Sequence, residues 1–168
     1  ITLLDTGEVG IGATNPTASL QIAVVAAFST AYNSTAHNIR LTRDATQGDN
    51  NYTGSISFSH IDNTDETMSA IAGVQTTADP NQCGIAFFTH PDATGSEAIV
   101  EKMRIEADGK VGIGTTSPEH NLEVEGSSGN NAAIGITCNG GNFSSLFFGI
   151  PGDTDEGIFR YDHNNNRF

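Results

Sequence analysis

Short apolar runs alternate with polar or small residues along most of this 168-residue chain, and their period is two rather than the 3.6 of a helix. One series is Asn38-Ile39-Arg40-Leu41-Thr42, Gly54-Ser55-Ile56-Ser57-Phe58, Ala70-Ile71-Ala72-Gly73-Val74 and Gly84-Ile85-Ala86-Phe87-Phe88. A second is Ala133-Ile134-Gly135-Ile136-Thr137, Ser144-Ser145-Leu146-Phe147-Phe148 and Gly157-Ile158-Phe159-Arg160-Tyr161. Between them lie turn-forming clusters such as Gly48-Asp49-Asn50-Asn51, Asp62-Asn63-Thr64-Asp65 and Asn139-Gly140-Gly141-Asn142. The pattern predicts short strands joined by turns. The stretch 17–32 is rich enough in Ala for a helix, but its Val24-Val25 pair and its Thr content favour mainly strand.

A self-comparison organises these strands. Residues 7–22 read GEVGIGATNPTASLQI and residues 109–124 read GKVGIGTTSPEHNLEV. At an offset of 102, Gly7, Val9, Gly10, Ile11, Gly12, Thr14, Pro16 and Leu20 are matched by Gly109, Val111, Gly112, Ile113, Gly114, Thr116, Pro118 and Leu122. At the same offset Ile1-Thr2-Leu3 takes the place of Met103-Arg104-Ile105. The expected organisation is a glycine-rich connector over 1–23, a β-rich body over 24–102, a second connector over 103–125 and a second, truncated body over 126–168. Beginning and ending inside a unit, the sequence reads as a window on a longer repetitive chain.

The connector has a physical logic. In a strand, Val9 and Ile11 point to one face and Gly10 and Gly12 to the other, and likewise Val111 and Ile113 against Gly112 and Gly114. A face of glycines lets another backbone approach closely. Pro16 and Pro118 lack a donor and fix φ, so they end the ladder and turn the chain. The unit therefore reads strand, Thr-x-Pro turn, strand, with close approach in an intertwined oligomer preferred over ordinary hairpin packing. A phosphate cradle is disfavoured, since Pro16 interrupts any Gly-x-Gly-x-x-Gly helix start and no Gly-Lys-Ser/Thr follows.

Composition limits the core. Leu, Ile, Val and Phe make up only about a fifth of the chain, close to the level at which charged chains stay disordered. Gly, Ser, Thr and Asn supply roughly two-fifths, which suits strand surfaces and turns. So thin an apolar stripe gains from being buried against copies of itself. A net charge of −13 opposes nucleic-acid binding and attraction to anionic membranes, and favours solubility. No apolar run reaches the roughly 18 residues of a membrane span.

Candidate chemistry is sparse. Cys83 and Cys138 form no Cys-x-x-Cys and are expected to be unpaired. His37, His60, His90, His120 and His163 are scattered without ligand spacing, so no metal and no cofactor are expected. Carboxylates cluster at Asp62, Asp65 and Glu66, at Glu119, Glu123 and Glu125, and at Asp153, Asp155 and Glu156. They read as solvated turns rather than a glycosidase pair, and none matches an EF-hand loop. No Gly-x-Ser-x-Gly elbow is present, and no catalytic residue is assigned.

Met103-Arg104-Ile105, the run Asp108 to Pro118 and Leu122-Glu123-Val124 resemble the repeat found along phage tail fibres and related trimeric adhesive fibres. Residues 158–168, IFRYDHNNNRF, resemble the body strand that often precedes the next motif in such fibres. The resemblance implies an all-β, elongated homotrimeric shaft of intertwined short strands, resembling a β-prism or β-helix. Its implied role is to space a distal receptor-binding domain for host attachment, in the virion tail fibre or another extracellular appendage. The implied partners are two further copies, neighbouring fibre segments and, through other parts, a host-surface receptor or glycan. In such a trimer one ring each of Phe87-Phe88 and Phe147-Phe148 would enter the core. The alternatives are a glycan-binding or glycan-degrading tailspike-like module and a bacterial trimeric surface adhesin.

Overall fold

The computed structural model describes residues 1–4, 7–11, 13–22, 41, 48–59, 67–91, 97–127, 129–138, 143–150, 153–165 and 167, without the side chains of 153–156. Every regular element among them is a strand, so the chain is all-β. Strands β1 (Thr2–Leu3), β2 (Val9–Ile11) and β3 (Leu20–Ile22) make a three-stranded sheet. Strands β4 (Tyr52–Ser59), β5 (Thr67–Gln75), β6 (Cys83–Thr89), β7 (Val100–Ile105), β8 (Val111–Ile113) and β9 (Leu122–Val124) follow one another across a six-stranded sheet. Strands β10 (Phe143–Ile150) and β11 (Asp153–Asp162) form an antiparallel hairpin. The backbones of the described strands approach one another only between neighbours within a sheet.

The alternating segments from Gly54 to Phe88 all fall in strands, as do those from Ser144 and Gly157. The segment expected at 38–42 lies outside the described residues apart from Leu41, as do residues 23–32 of the Ala-rich stretch and Gly12. Ala133–Thr137 differs from expectation, because residues 131–138 form no strand. Alternation makes a segment competent to pair but does not supply an edge, and here β10 and β11 pair with each other.

The two glycine-rich segments fold alike. Leu3 pairs with Val9 and Val9 with Leu20, while Ile105 pairs with Val111 and Val111 with Leu122. The Gly7 amide donates to the Leu4 carbonyl at 2.9 Å, and the Gly109 amide to the Glu106 carbonyl at 3.0 Å. Thr17 donates its amide to the Gln21 side chain, and Glu119 donates its amide to Glu123, again 102 positions on. In both segments an antiparallel turn is followed by a parallel pair, β2–β3 and β8–β9. Residues 114–121 suffice for the second crossover, where parallel neighbours usually need about a dozen or more.

Three features make that short crossover possible. Gly114 leaves β8 at a φ of 80°, which an L side chain rarely adopts. The Thr115 hydroxyl accepts the Ser117 amide, and Pro118 is buried at the bend, as Pro16 is in the first copy. Thr14 and Thr116 are exposed there. The backbone that crowds the glycines is the chain's own. A Cβ on Gly112 would meet the Thr115 carbonyl oxygen at 2.5 Å, and one on Gly10 would meet that of Ala13. The close approach foreseen for the glycine face is thus made by each segment's own turn.

The core sits on one face of the six-stranded sheet and consists of Ala70, Ala72, Val74, Ala86 and Phe88, with Tyr52 and Ile99 packed against it. The Tyr52 and Phe88 rings meet edge to face, 4.9 Å between centroids.

Gly112→Ala is expected to lower stability by about 1–3 kcal/mol, because a backbone carbonyl must shift to admit the methyl. Gly109→Ala, with open space but a φ of 87°, should cost about 1 kcal/mol. Urea unfolding of both variants checks the order; equal losses would contradict the crowding at Gly112.

Candidate interaction surface

Strand register sorts the side chains of the six-stranded sheet into two faces. Ala72 lies opposite Ser55 and Ala86, Ala70 opposite Ser57 and Phe88, and Val74 opposite Tyr52 and Gly84. Ala86 continues to Arg104, and Arg104 to Gly112. Residues 101 and 104 would fall on opposite faces of a regular strand. Here Phe88 pairs with Glu101 and Phe87 with Met103, so Lys102 is an extra residue and β7 carries a bulge. The bulge restores parity and places Glu101 beside Arg104.

Among the described residues Arg104 is the largest fully buried side chain, 1% exposed. Its Nε donates to Glu101 Oε1 at 2.5 Å and its Nη2 to Glu101 Oε2 at 2.9 Å, a two-pronged pair. Its Nη1 donates to Asn50 Oδ1 at 2.8 Å, to Glu106 Oε1 at 3.0 Å and to the Thr116 carbonyl at 3.0 Å. Tyr52 donates its hydroxyl to Glu101 Oε2 at 2.9 Å. Burial alone would disfavour the charge, yet the bonds and attraction of Glu101 and Glu106 outweigh it and raise the pKa of Arg104. Burial, then the bond to Glu101, pushes the Tyr52 phenol above its ordinary 10.0. Asn50 reaches this cluster at a φ of 61°, a conformation Asn tolerates better than most residues.

In the sequence Arg104 stands out only as part of a motif and Asn50 only as part of a turn cluster, and neither Glu101 nor Tyr52 is marked as its partner. A signal was present: Glu101-Lys102-Met103-Arg104 places charges inside a strand otherwise apolar at Val100, Met103 and Ile105. What it lacked was the bulge, which no local pattern announces.

The opposite face carries larger side chains. Ile56 pairs with Ile71, Ile71 with Phe87, Phe87 with Met103, Met103 with Ile113 and Ile113 with Val124. A parallel row runs from Ile85 through Ile105 and Val111 to Leu122. These side chains are not buried: Phe58 is 54% exposed, Ile85 46% and Leu122 56%. The first segment repeats the arrangement with Leu3, Val9, Ile11, Leu20 and Ile22 on one face. Phe87 and Phe88 therefore point to opposite faces, Phe88 into the core and Phe87 onto the apolar face. On the hairpin, Phe147 and Phe148 also diverge, and both are exposed.

The remaining candidates do not converge. Asp62, Asp65, Glu66, His37 and His60 lie outside the described residues. Glu123 accepts the Glu119 amide and meets His120 at 3.4 Å, and these contacts hold its carboxyl below the usual range. His163 meets Ser144 Oγ at 2.9 Å. Among the described residues no cluster of His, Cys, Asp or Glu could hold a metal ion. Neither Cys83 nor Cys138 forms a disulfide.

Glu101→Gln leaves the buried Arg104 charge undercompensated and should cost about 3 kcal/mol in urea unfolding. Tyr52→Phe should cost about 1–2 kcal/mol, losing one bond to a charged acceptor. Because the folded-state pKa of Tyr52 is raised, its contribution is complete below pH 10 and is lost as pH rises through the folded value. The stability gap between wild type and Tyr52→Phe should therefore narrow under alkali, and a gap unchanged there would contradict this assignment.

Compared with known proteins, the chain matches no protein-family model, and a search of curated proteins also finds no match.

Proposed function

We propose that this chain is a structural and adhesive shaft segment of a homotrimeric β-fibre of the phage tail-fibre kind, extracellular and without enzymatic activity. The observation that carries the reading is the apolar face of the six-stranded sheet. Ile56, Phe58, Ile71, Ile85, Val100, Ile113 and Leu122 stand exposed on it, while the opposite face buries Ala70, Ala72, Val74, Ala86, Phe88 and Arg104. An apolar patch spanning six strands is uncommon on a solitary soluble domain and is removed from water by association. Like-charged copies repel, but that face carries few charges, so it is the surface along which they can meet.

The repeated connector supports the same reading. Val9, Ile11, Val111 and Ile113 keep one parity in both copies, so an apolar stripe recurs 102 residues apart. Three chains placing such stripes about a common axis would build a rod whose job is to hold a distal receptor-binding part away from its base. Neighbouring fibre segments would continue the rod at either end, and contact with a host receptor or glycan would fall to parts beyond it.

Sedimentation equilibrium should return three times the 17.6 kDa chain mass and hold that value on dilution. Ile85→Glu, which puts a charge in the middle of the face, should lower the mass to that of one chain. A wild-type chain that sediments as a monomer at all concentrations would overturn the proposal.

A further inference from the structure

We infer that Arg104 is a clasp that fixes the second glycine-rich connector to the body before it and so sets the stiffness of that joint. The guanidinium reaches three places at once. Glu101 lies on the bulge of β7, Asn50 lies in the turn ahead of β4, and the Thr116 carbonyl lies in the crossover between β8 and β9. The strands between these points lie side by side across the sheet, so the bonds of one side chain tie the turn ahead of β4 to the connector's turn.

The surrounding geometry serves this link. Asn50 is held by its amide bond to the Gln75 carbonyl at 2.8 Å, and the buried Gln75 side chain accepts the Gly48 amide at 2.8 Å. On the connector side, the Lys102 carbonyl at the bulge accepts the Gly114 amide at 2.9 Å. The bulge thus does two things: it aligns Glu101 with Arg104 and it offers a carbonyl to the connector. Planarity matters as well, because a lysine ammonium cannot hold Glu101 on two nitrogens while also donating to Asn50 and Thr116.

The clasp belongs to the second segment and not to the motif itself. At the equivalent positions of the first segment Thr2 replaces Arg104 and Leu4 replaces Glu106. Thr2 has neither the reach nor the charge to hold the turn at Thr14, although it keeps the register of Arg104, opposite Gly10 as Arg104 is opposite Gly112. The inference rests on the contacts of one chain and stands whether or not the chain assembles.

Amide hydrogen exchange on the full chain tests it. Arg104→Lys should speed exchange at Gly114, Ser117 and Glu119 by about tenfold or more, with the amides of β5 and β6 changed by less than about twofold. Asn50→Ala keeps both ion pairs and should give a smaller rise at the same three amides. It decides the matter if Arg104→Lys opens the whole sheet. A rise confined to the connector supports the clasp. A rise shared with β5 and β6 in Asn50→Ala, or no rise at the connector in either variant, overturns it.

Discussion

Side chains on a β-strand alternate between faces, and six strands in fixed register turn that alternation into a property of the whole sheet. In this chain nearly everything follows from which residues fall on which side. One face receives Ser55, Ser57, Ala70, Ala72, Val74, Ala86, Phe88 and Gly112, with Arg104 among them. The other receives Ile56, Ile71, Ile85, Phe87, Met103, Ile105, Val111, Ile113 and Leu122. Parity is preserved because irregularities add one residue where it is needed, between Tyr52 and Ser55 in β4 and at Lys102 in β7. Without the bulge at Lys102, Glu101 would turn to the apolar face and leave the buried arginine without its two-pronged partner.

The energetics of the two faces differ accordingly. Three alanines, Val74 and Phe88 bury a modest apolar area, and the hydrogen-bonded charge of Arg104 is buried beside them. A buried ion pair is weak support for net stability, since desolvation offsets much of the attraction, but it is strict about geometry. Arg104 satisfies that strictness with acceptors on four separate residues. The apolar face has the reverse character: ample hydrophobic area, with about half of it left in water at Ile56, Phe58, Ile85 and Leu122 in a single chain. The proposed trimer would bring that area into use, and its stability would then depend on chain concentration.

The two connectors separate what is local from what is contextual. Their first turn and their parallel pair follow the same hydrogen bonds and register, although half of the aligned residues differ. Gly7 and Gly109 accept positive φ, Gly10 and Gly112 make room for a carbonyl, and Pro16 and Pro118 close the bend. These roles need neighbours only a few residues away. The arginine network also needs Asn50, 54 positions distant, and the first connector has Thr2 and Leu4 where the second has Arg104 and Glu106.

That difference marks how far the sequence could be read. Alternation, turn clusters and the glycine-proline motif determined the all-β class, the strands from Gly54 to Phe88 and the strand–turn–strand form of each connector. Their causes are steric and local, so they are written in consecutive residues. The parallel order of β8 and β9, the unpaired course of Ala133–Thr137 and the burial of Arg104 were decided by tertiary structure. Each depends on which edge is available and on a register set by a bulge, and register is a relation between distant segments that no single stretch contains. The glycines show both sides: their need for space was legible in the motif, but only the folded chain showed that its own Thr115 carbonyl fills that space at Gly112.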